Sequence, residues 1–243
     1  MNFFIIIFLF ILGAFLGSFY NVCIFRMPLK ISIMYPSSRC MKCKSPINFY
    51  DNIPIISYII LKGKCRKCKS KISIIYPIVE ILTAILFVVV FIKFKYSINT
   101  IKYLIFVSIL IIIAFIDLRT YTILDRFVYL LIILGFLFGT LNFETYFLGA
   151  SVYCFFFFLL YIVGESFFKK EAIGFGDLKL AAGIGAFLGY NGLFTLYLFV
   201  LFSFGLGALV SLFLISKKVI TRKHYIPFGP FMVIAAILLV ILF

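Results

Sequence analysis

Hydrophobic and polar positions fall into long blocks, with no short period running through the chain. Nearly unbroken apolar runs cover residues 3–25, 74–92, 101–116, 123–141, 146–164, 180–188, 193–215 and 226–243, separated by brief polar stretches. A helix needs about 20 apolar residues to cross some 30 Å of hydrocarbon. The pattern therefore predicts an all-α polytopic membrane protein with about eight transmembrane helices, the sixth short. The first run lacks a basic stretch before it and a small-residue cleavage site after it, so it reads as a retained helix rather than a removed signal. One polar segment is long enough to form a structure outside the membrane, residues 26–73.

Composition agrees with the pattern. With 65% hydrophobic and 13% charged residues in 243, there is more apolar surface than a single soluble core can hide. The formal net charge of +15 raises nucleic acid as a partner, but the positions of the charges argue for topology. If the N-terminus lies outside, the segment from Arg26 to Lys71 faces the cytoplasm with eleven of the 23 basic residues. Arg119, Arg126, Lys169, Lys170, Lys179, Lys217, Lys218, Arg222 and Lys223 face the same way, leaving only Lys93, Lys95 and Lys102 outside. That is a full positive-inside bias. No basic helix with interleaved aromatics stands outside the membrane, so lipid, not nucleic acid, is the expected surrounding partner.

The segment 26–73 holds Cys40, Cys43, Cys65 and Cys68 as C-x2-C, 21 residues, C-x2-C. Each pair lets a tight turn aim two thiolates at one tetrahedral ion, and two such knuckles close a structural zinc site of the ribbon type. A reducing cytoplasmic face disfavours disulfides, and the neighbouring Lys42, Lys44, Lys64, Arg66, Lys67 and Lys69 favour thiolates. Cys23 and Cys154 lie within apolar runs and read as small buried hydrophobes.

Only eight residues are acidic, and a carboxylate at a membrane edge is a functional candidate by default. Asp51 belongs to the loop. Glu144 fits a solvated or capping role in an outer turn. Glu80 and Glu165 read equally well as partners of loop cations and as site components. Asp117, Asp125 and Asp177 share one membrane face. Asp125, just before a fresh apolar run, reads as a helix N-cap. Asp117 closes a helix, where the macrodipole disfavours a negative charge, so another partner must account for it. Asp177 follows Gly174 and Gly176, whose backbone freedom would leave its carboxylate at the mouth of a helix. Two carboxylates brought together at such an edge share a proton, so that one activates water while the other protonates a carbonyl oxygen. That chemistry is peptide hydrolysis.

The stretches "GSFYNVCIFRMP", "YDNIPIISY", "YPIVEILTA", "IDLRTYTILD", "GFGDLKLAAGIGAFLG" and "IPFGPF", together with the four-cysteine loop, resemble bacterial type IV prepilin peptidases with N-methyltransferase activity, nearly end to end and in order. The resemblance implies a GxGD-type aspartic protease of the bacterial inner membrane. Such an enzyme cuts the basic leader of prepilins, or of type II secretion pseudopilins, after a glycine and methylates the new N-terminal residue, usually Phe, with S-adenosylmethionine as donor. Carried over by position, the catalytic aspartates are Asp117 and Asp177. Leu124 replaces the proline usual before the aspartate at 125. No G-x-G-x-x-G fingerprint locates a cofactor pocket.

The organisation expected is a first transmembrane helix over 1–25, a methyltransferase-associated cytoplasmic loop over 26–73, and a transmembrane peptidase domain over 74–243. Alternatives are a leader peptidase without methyl transfer, which the intact cysteine tetrad disfavours, and a transporter using the same carboxylates. A transporter predicts midspan carboxylates and a pseudo-symmetric repeat, and neither is evident here.

Overall fold

In the computed structural model the described residues are 2–35, 37–168, 173–219, 221 and 225–243. Lys169, Lys170, Arg222 and Lys223, assigned above to the inner face, lie outside them. The described elements are α1 (Asn2–Arg26), α2 (Ile56–Ile60), α3 (Ile75–Phe94), α4 (Ile98–Thr120), α5 (Asp125–Phe138), α6 (Phe143–Phe168), α7 (Phe175–Leu188), α8 (Leu193–Ser216) and α9 (Gly229–Leu242). No strand forms among these residues; two isolated bridges, Arg39 with Pro46 and Lys64 with Lys71, are the only β pairing. Each of the eight apolar runs coincides with a helix. By length and composition α1, α3, α4, α6 and α8 can cross a membrane, whereas α9 is a shorter apolar helix. The 14-residue helices α5 and α7 rise only about 21 Å.

The chain forms two compact units, residues 1–112 and 113–243. In the first, α1 and α3 run antiparallel in a register set by small residues. A Cβ added at Gly13 would lie 2.7 Å from Ala84 Cα, and one at Gly17 would lie 2.8 Å from Glu80 Cα. One turn further on, Asn21 Nδ2 donates to the Tyr76 carbonyl at 3.0 Å. Close backbone approach of this kind replaces the hydrophobic drive that is absent between helices in lipid. Tyr20 adds a bond to Ser108 on α4 at 2.7 Å.

In the second unit α7 is walled in by α5, α6 and α9. Leu180, Ala181, Ile184, Ala186 and Phe187 are fully buried. Gly149 of α6 and Gly185 of α7 meet backbone to backbone, so that no side chain fits at either. Several hydroxyls on the long helices bond within their own helix: Thr83 donates to the Val79 carbonyl at 2.7 Å and Ser203 to the Phe199 carbonyl at 2.8 Å. A segment in hydrocarbon requires this, because no water is there to help. The outward residues are apolar, for example Phe4, Phe8 and Phe15 on α1 and Leu209, Leu212 and Phe213 on α8.

Candidate functional site

Asp117 stands in the last turn of α4, where its own helix presents unfavourable carbonyls. The partner demanded by that position is α9. Gly229 is the first residue of α9, so its N–H has no bond within the helix, and it donates to Asp117 Oδ2 at 3.1 Å. Pro230 follows immediately, where a missing N–H is tolerated. The positive end of α9 thus offsets the negative end of α4. Asp117 is buried, 5% exposed.

Asp177 is the third residue of α7 and is equally buried, at 4%. This corrects the expectation of a carboxylate held at the mouth of the helix. It folds back on its own helix start: Oδ2 accepts the Gly174 N–H at 3.2 Å, while the Asp177 N–H donates to the Gly174 carbonyl at 3.0 Å. Glycine has no side chain to answer with, so only the Asp177 half of a capping box exists. Gly174 has φ −71° and ψ 145°, open to any residue, so the glycines serve space and not backbone freedom. A Cβ at Gly174 would lie 3.2 Å from Asp177 Oδ2, and one at Gly176 would lie 3.3 Å from Ile123 Cβ.

The structure brings the two aspartates together. Each carboxylate accepts one backbone N–H at the start of a helix. Ile123 contacts both neighbourhoods, since a Cβ at Gly229 would lie 3.5 Å from its Cδ1. Tyr121 and Tyr225 pair with ring centroids 5.9 Å apart, and the Tyr225 hydroxyl is 3.8 Å from the Cβ position of Gly174. Two buried carboxylates, oriented by backbone donors and walled by apolar and tyrosyl side chains, can activate a water between them.

Asp125 is not the N-cap expected. Leu124 occupies the cap position and makes no side-chain bond, and Asp125 is the first helical residue. Its carboxylate turns to Lys179 on α7, whose Nζ donates to Oδ1 at 2.8 Å. Placed one residue inside the helix, the carboxylate pairs with a side chain and not with the helix start. Glu144 and Glu165 are exposed on α6. Glu80 is buried on α3 and accepts the Ile55 N–H at 2.7 Å, so its partner is loop backbone and not a loop cation.

In the loop, Cys40, Cys43, Cys65 and Cys68 converge, with all four sulfurs within 4.8 Å of one another. Cys40 Sγ and Cys68 Sγ are 3.7 Å apart, close to the roughly 3.8 Å that a tetrahedron of 2.3 Å bonds requires. The knuckles, "CMKCKS" and "CRKCKS", differ only at their second residue and form a short internal repeat. In the first, Cys40 N–H donates to Ser45 and Lys44 N–H to Cys40; in the second, Cys65 N–H donates to Ser70 and Lys69 N–H to Cys65, at 2.8–3.0 Å throughout. Lys44 and Lys69 both have positive φ. The backbone N–H groups of Cys43 and Lys42 pull the Cys40 thiol down to about 6, and the Ser70 hydroxyl lowers Cys68. Backbone and hydroxyl donors lead here, not the lysine charges anticipated. The second knuckle is tied down by Arg66, which grips Asp51 with two parallel bonds, Nε to Oδ2 at 2.8 Å and a terminal nitrogen to Oδ1 at 2.7 Å, and lies over the Tyr50 ring at 5.6 Å. That grip holds the Asp51 carboxyl below its usual range.

Residues 11–94 match the bacterial peptidase A24 N-terminal domain and residues 104–243 match the type IV leader peptidase family. The chain belongs to the type IV leader peptidase family. Among its relatives are proteins named prepilin leader peptidase/N-methyltransferase from three bacteria. The Neisseria gonorrhoeae protein is 34% identical over 90% of this chain and 84% of its own length. The Bacillus subtilis protein is 32% identical over 95% and 91%. The Myxococcus xanthus protein is 38% identical over 79% of this chain, but only 59% of that relative's length is covered. No solved structure matches. The buried aspartates at 117 and 177 and the clustered cysteine tetrad are the two groupings of functional side chains described above. Sequence reading gave no role to Gly229, although "FGP" ahead of an apolar run is a helix-start signal. It also left Lys179 without its partner Asp125.

Proposed function

We propose that this chain cleaves the basic leader of type IV prepilins or pseudopilins after Gly and then N-methylates the residue exposed, usually Phe. The carrying observation is the meeting of two buried, backbone-oriented carboxylates, Asp117 and Asp177, in a member of a leader peptidase family. The substrate's apolar N-terminal helix lies in the bilayer with its cationic leader at the cytoplasmic face. One carboxylate takes a proton from water as its oxygen attacks the Gly carbonyl carbon; the other gives a proton to the carbonyl oxygen. Collapse breaks the C–N bond, and a proton returns to the leaving amine. The Gly229 and Gly174 N–H groups hold the carboxylates in place throughout.

The chain crosses the bacterial inner membrane eight times, with its N-terminus outside and residues 26–73 inside. Residues 74–243 form the peptidase, and the inner loop belongs to methyl transfer. Cys40, Cys43, Cys65 and Cys68 hold one zinc ion in a structural, ribbon-like site; the sulfur spacing and the Ser45 and Ser70 hydroxyls fit that role. S-adenosylmethionine supplies the electrophilic methyl group. The amine freed by cleavage is its acceptor.

Co-expression with a prepilin and mass spectrometry of the mature N-terminus tests the whole reading. The expected product begins at the residue after Gly and carries one methyl group. An intact leader would overturn the peptidase assignment, and a cleaved but unmethylated terminus would reduce the chain to a peptidase.

A further inference from the structure

Between the cysteine knuckles the loop turns sharply at Pro54, Ile55 and Ile56. Ile55 has φ 63° and ψ −54°, and the Ile56 N–H closes onto the Pro54 carbonyl at 2.6 Å. This is a γ-turn of the rare positive-φ kind, strained for any side chain and most of all for a β-branched one. Such a conformation persists only where its surroundings over-determine it, and it is characteristic of functional sites.

The restraint is Glu80. Its Oε2 accepts the Ile55 N–H at 2.7 Å. The α1–α3 register leaves Glu80 no room to drift, since Gly17 packs on its Cα and Asn21 bonds the Tyr76 carbonyl one turn earlier on the same face of α3. A membrane-edge carboxylate is therefore fixed by two helices and presents an oxygen to one strained loop amide. Burying a carboxylate for a single backbone amide is costly, which points to a role beyond packing.

We propose that Glu80 is a positioning residue for methyl transfer: its carboxylate pins the Ile55 turn and so fixes the two cysteine knuckles relative to α1 and α3. The proposal rests on the reading of the inner loop as part of the methyl-transfer machinery.

The test uses full-length, zinc-loaded protein with a pre-cleaved pilin bearing a free N-terminal Phe and S-adenosylmethionine. Glu80→Ala is expected to lower kcat for methylation about tenfold or more, because small misplacements carry such factors, while prepilin cleavage and zinc content stay at wild-type levels. Glu80→Gln keeps an acceptor and should retain most activity. Adding Ile55→Gly to Glu80→Ala should restore methylation, since glycine takes a positive φ without the steric penalty; a general packing role for Glu80 would not be rescued this way. Where Glu80→Ala does not fold, Glu80→Asp, one methylene too short, carries the same expectation. Hydrogen exchange should show the Ile55 amide protected in wild type and exposed in the alanine variant. Equal Ile55 exchange in both proteins, wild-type methylation by Glu80→Ala, or no rescue by Ile55→Gly would each overturn the clamp alone. A wild-type protein that cleaves but never methylates the free N-terminus would sink the methyl-transfer reading and the clamp's role with it.

Discussion

The Gly229 N–H and the Asp117 carboxylate are joined at 3.1 Å across 112 residues of sequence, placing the start of α9 against the end of α4. A Cβ added at Gly229 would lie 2.7 Å from Asp117 Oδ2 and 3.3 Å from its Cγ, so the carboxylate has to move. Gly229→Ala is expected to lower prepilin cleavage about a hundredfold, the scale of an ångström displacement in an active site, with the protein still folded. A wild-type cleavage rate in that variant would remove Gly229 from the positioning of Asp117.

The aspartates themselves carry a larger expectation. Asp117→Asn and Asp177→Asn preserve shape and remove the proton exchange that hydrolysis needs, so each should reduce the cleavage rate by several powers of ten. Because the two act as a unit, the double variant should be little worse than either single one. Rates measured on a purified prepilin decide this, and roughly additive losses would mean that the groups act separately.

Asp125 belongs in a different class. Its bond to Lys179 joins side chains that are 51% and 29% exposed, a geometry worth only about 0.2–1 kcal/mol. Asp125→Asn and Lys179→Gln should each leave cleavage within a few-fold of wild type, and a double-mutant cycle on thermal stability should return a coupling of that size. Loss of cleavage on Asp125→Asn with retention on Asp117→Asn would mean that the catalytic pair has been misassigned.

What the sequence showed and withheld follows from range. The apolar blocks placed a helix at each of eight positions because span length is a local property. The knuckle spacing brought four sulfurs together because each C-x2-C turn is local as well. The Asp125 reading failed because Lys179, 54 residues away, competes for the same carboxylate, and no local signal reports that. Gly174 and Gly176 suggested backbone freedom, yet what they supply is room beside Asp177 and Ile123, a property of packing. Asp117 posed a puzzle that sequence could state but not solve, since its answer stands at Gly229.

The loop should depend on metal. Residues 26–73 hold little apolar core of their own, so zinc binding and folding are expected to coincide. Metal analysis of purified protein should give about one zinc per chain, lost in a Cys40→Ser/Cys65→Ser variant. Asp51→Asn should weaken zinc retention against a chelator more mildly, by up to about fivefold, since it releases Arg66 from one knuckle. The bond to Arg66 holds Asp51 below its ordinary range, so its contribution is complete at neutral pH and is lost only as pH falls through that lowered value; acidification to about pH 5 leaves it intact. Protein purified under reducing conditions without chelator and still free of metal would count against the site.

The two chemistries should separate by residue yet remain ordered in time. The aspartates stand on α4 and α7, the cysteines in the loop between α1 and α3, and neither set is needed for the other's bond-making. The methyl acceptor, however, is the amine that cleavage creates, and a nitrogen still locked in an amide has no free lone pair to attack a methyl group. Asp177→Asn should therefore abolish both products when offered an intact prepilin. Offered a pre-cleaved pilin with a free N-terminal Phe and S-adenosylmethionine, the same variant should methylate at close to the wild-type rate. A Cys40→Ser/Cys65→Ser protein should show the opposite balance, losing methylation more than cleavage. Failure of folded, zinc-loaded Asp177→Asn protein to methylate the pre-cleaved substrate would mean that the carboxylates and the loop serve one shared active site.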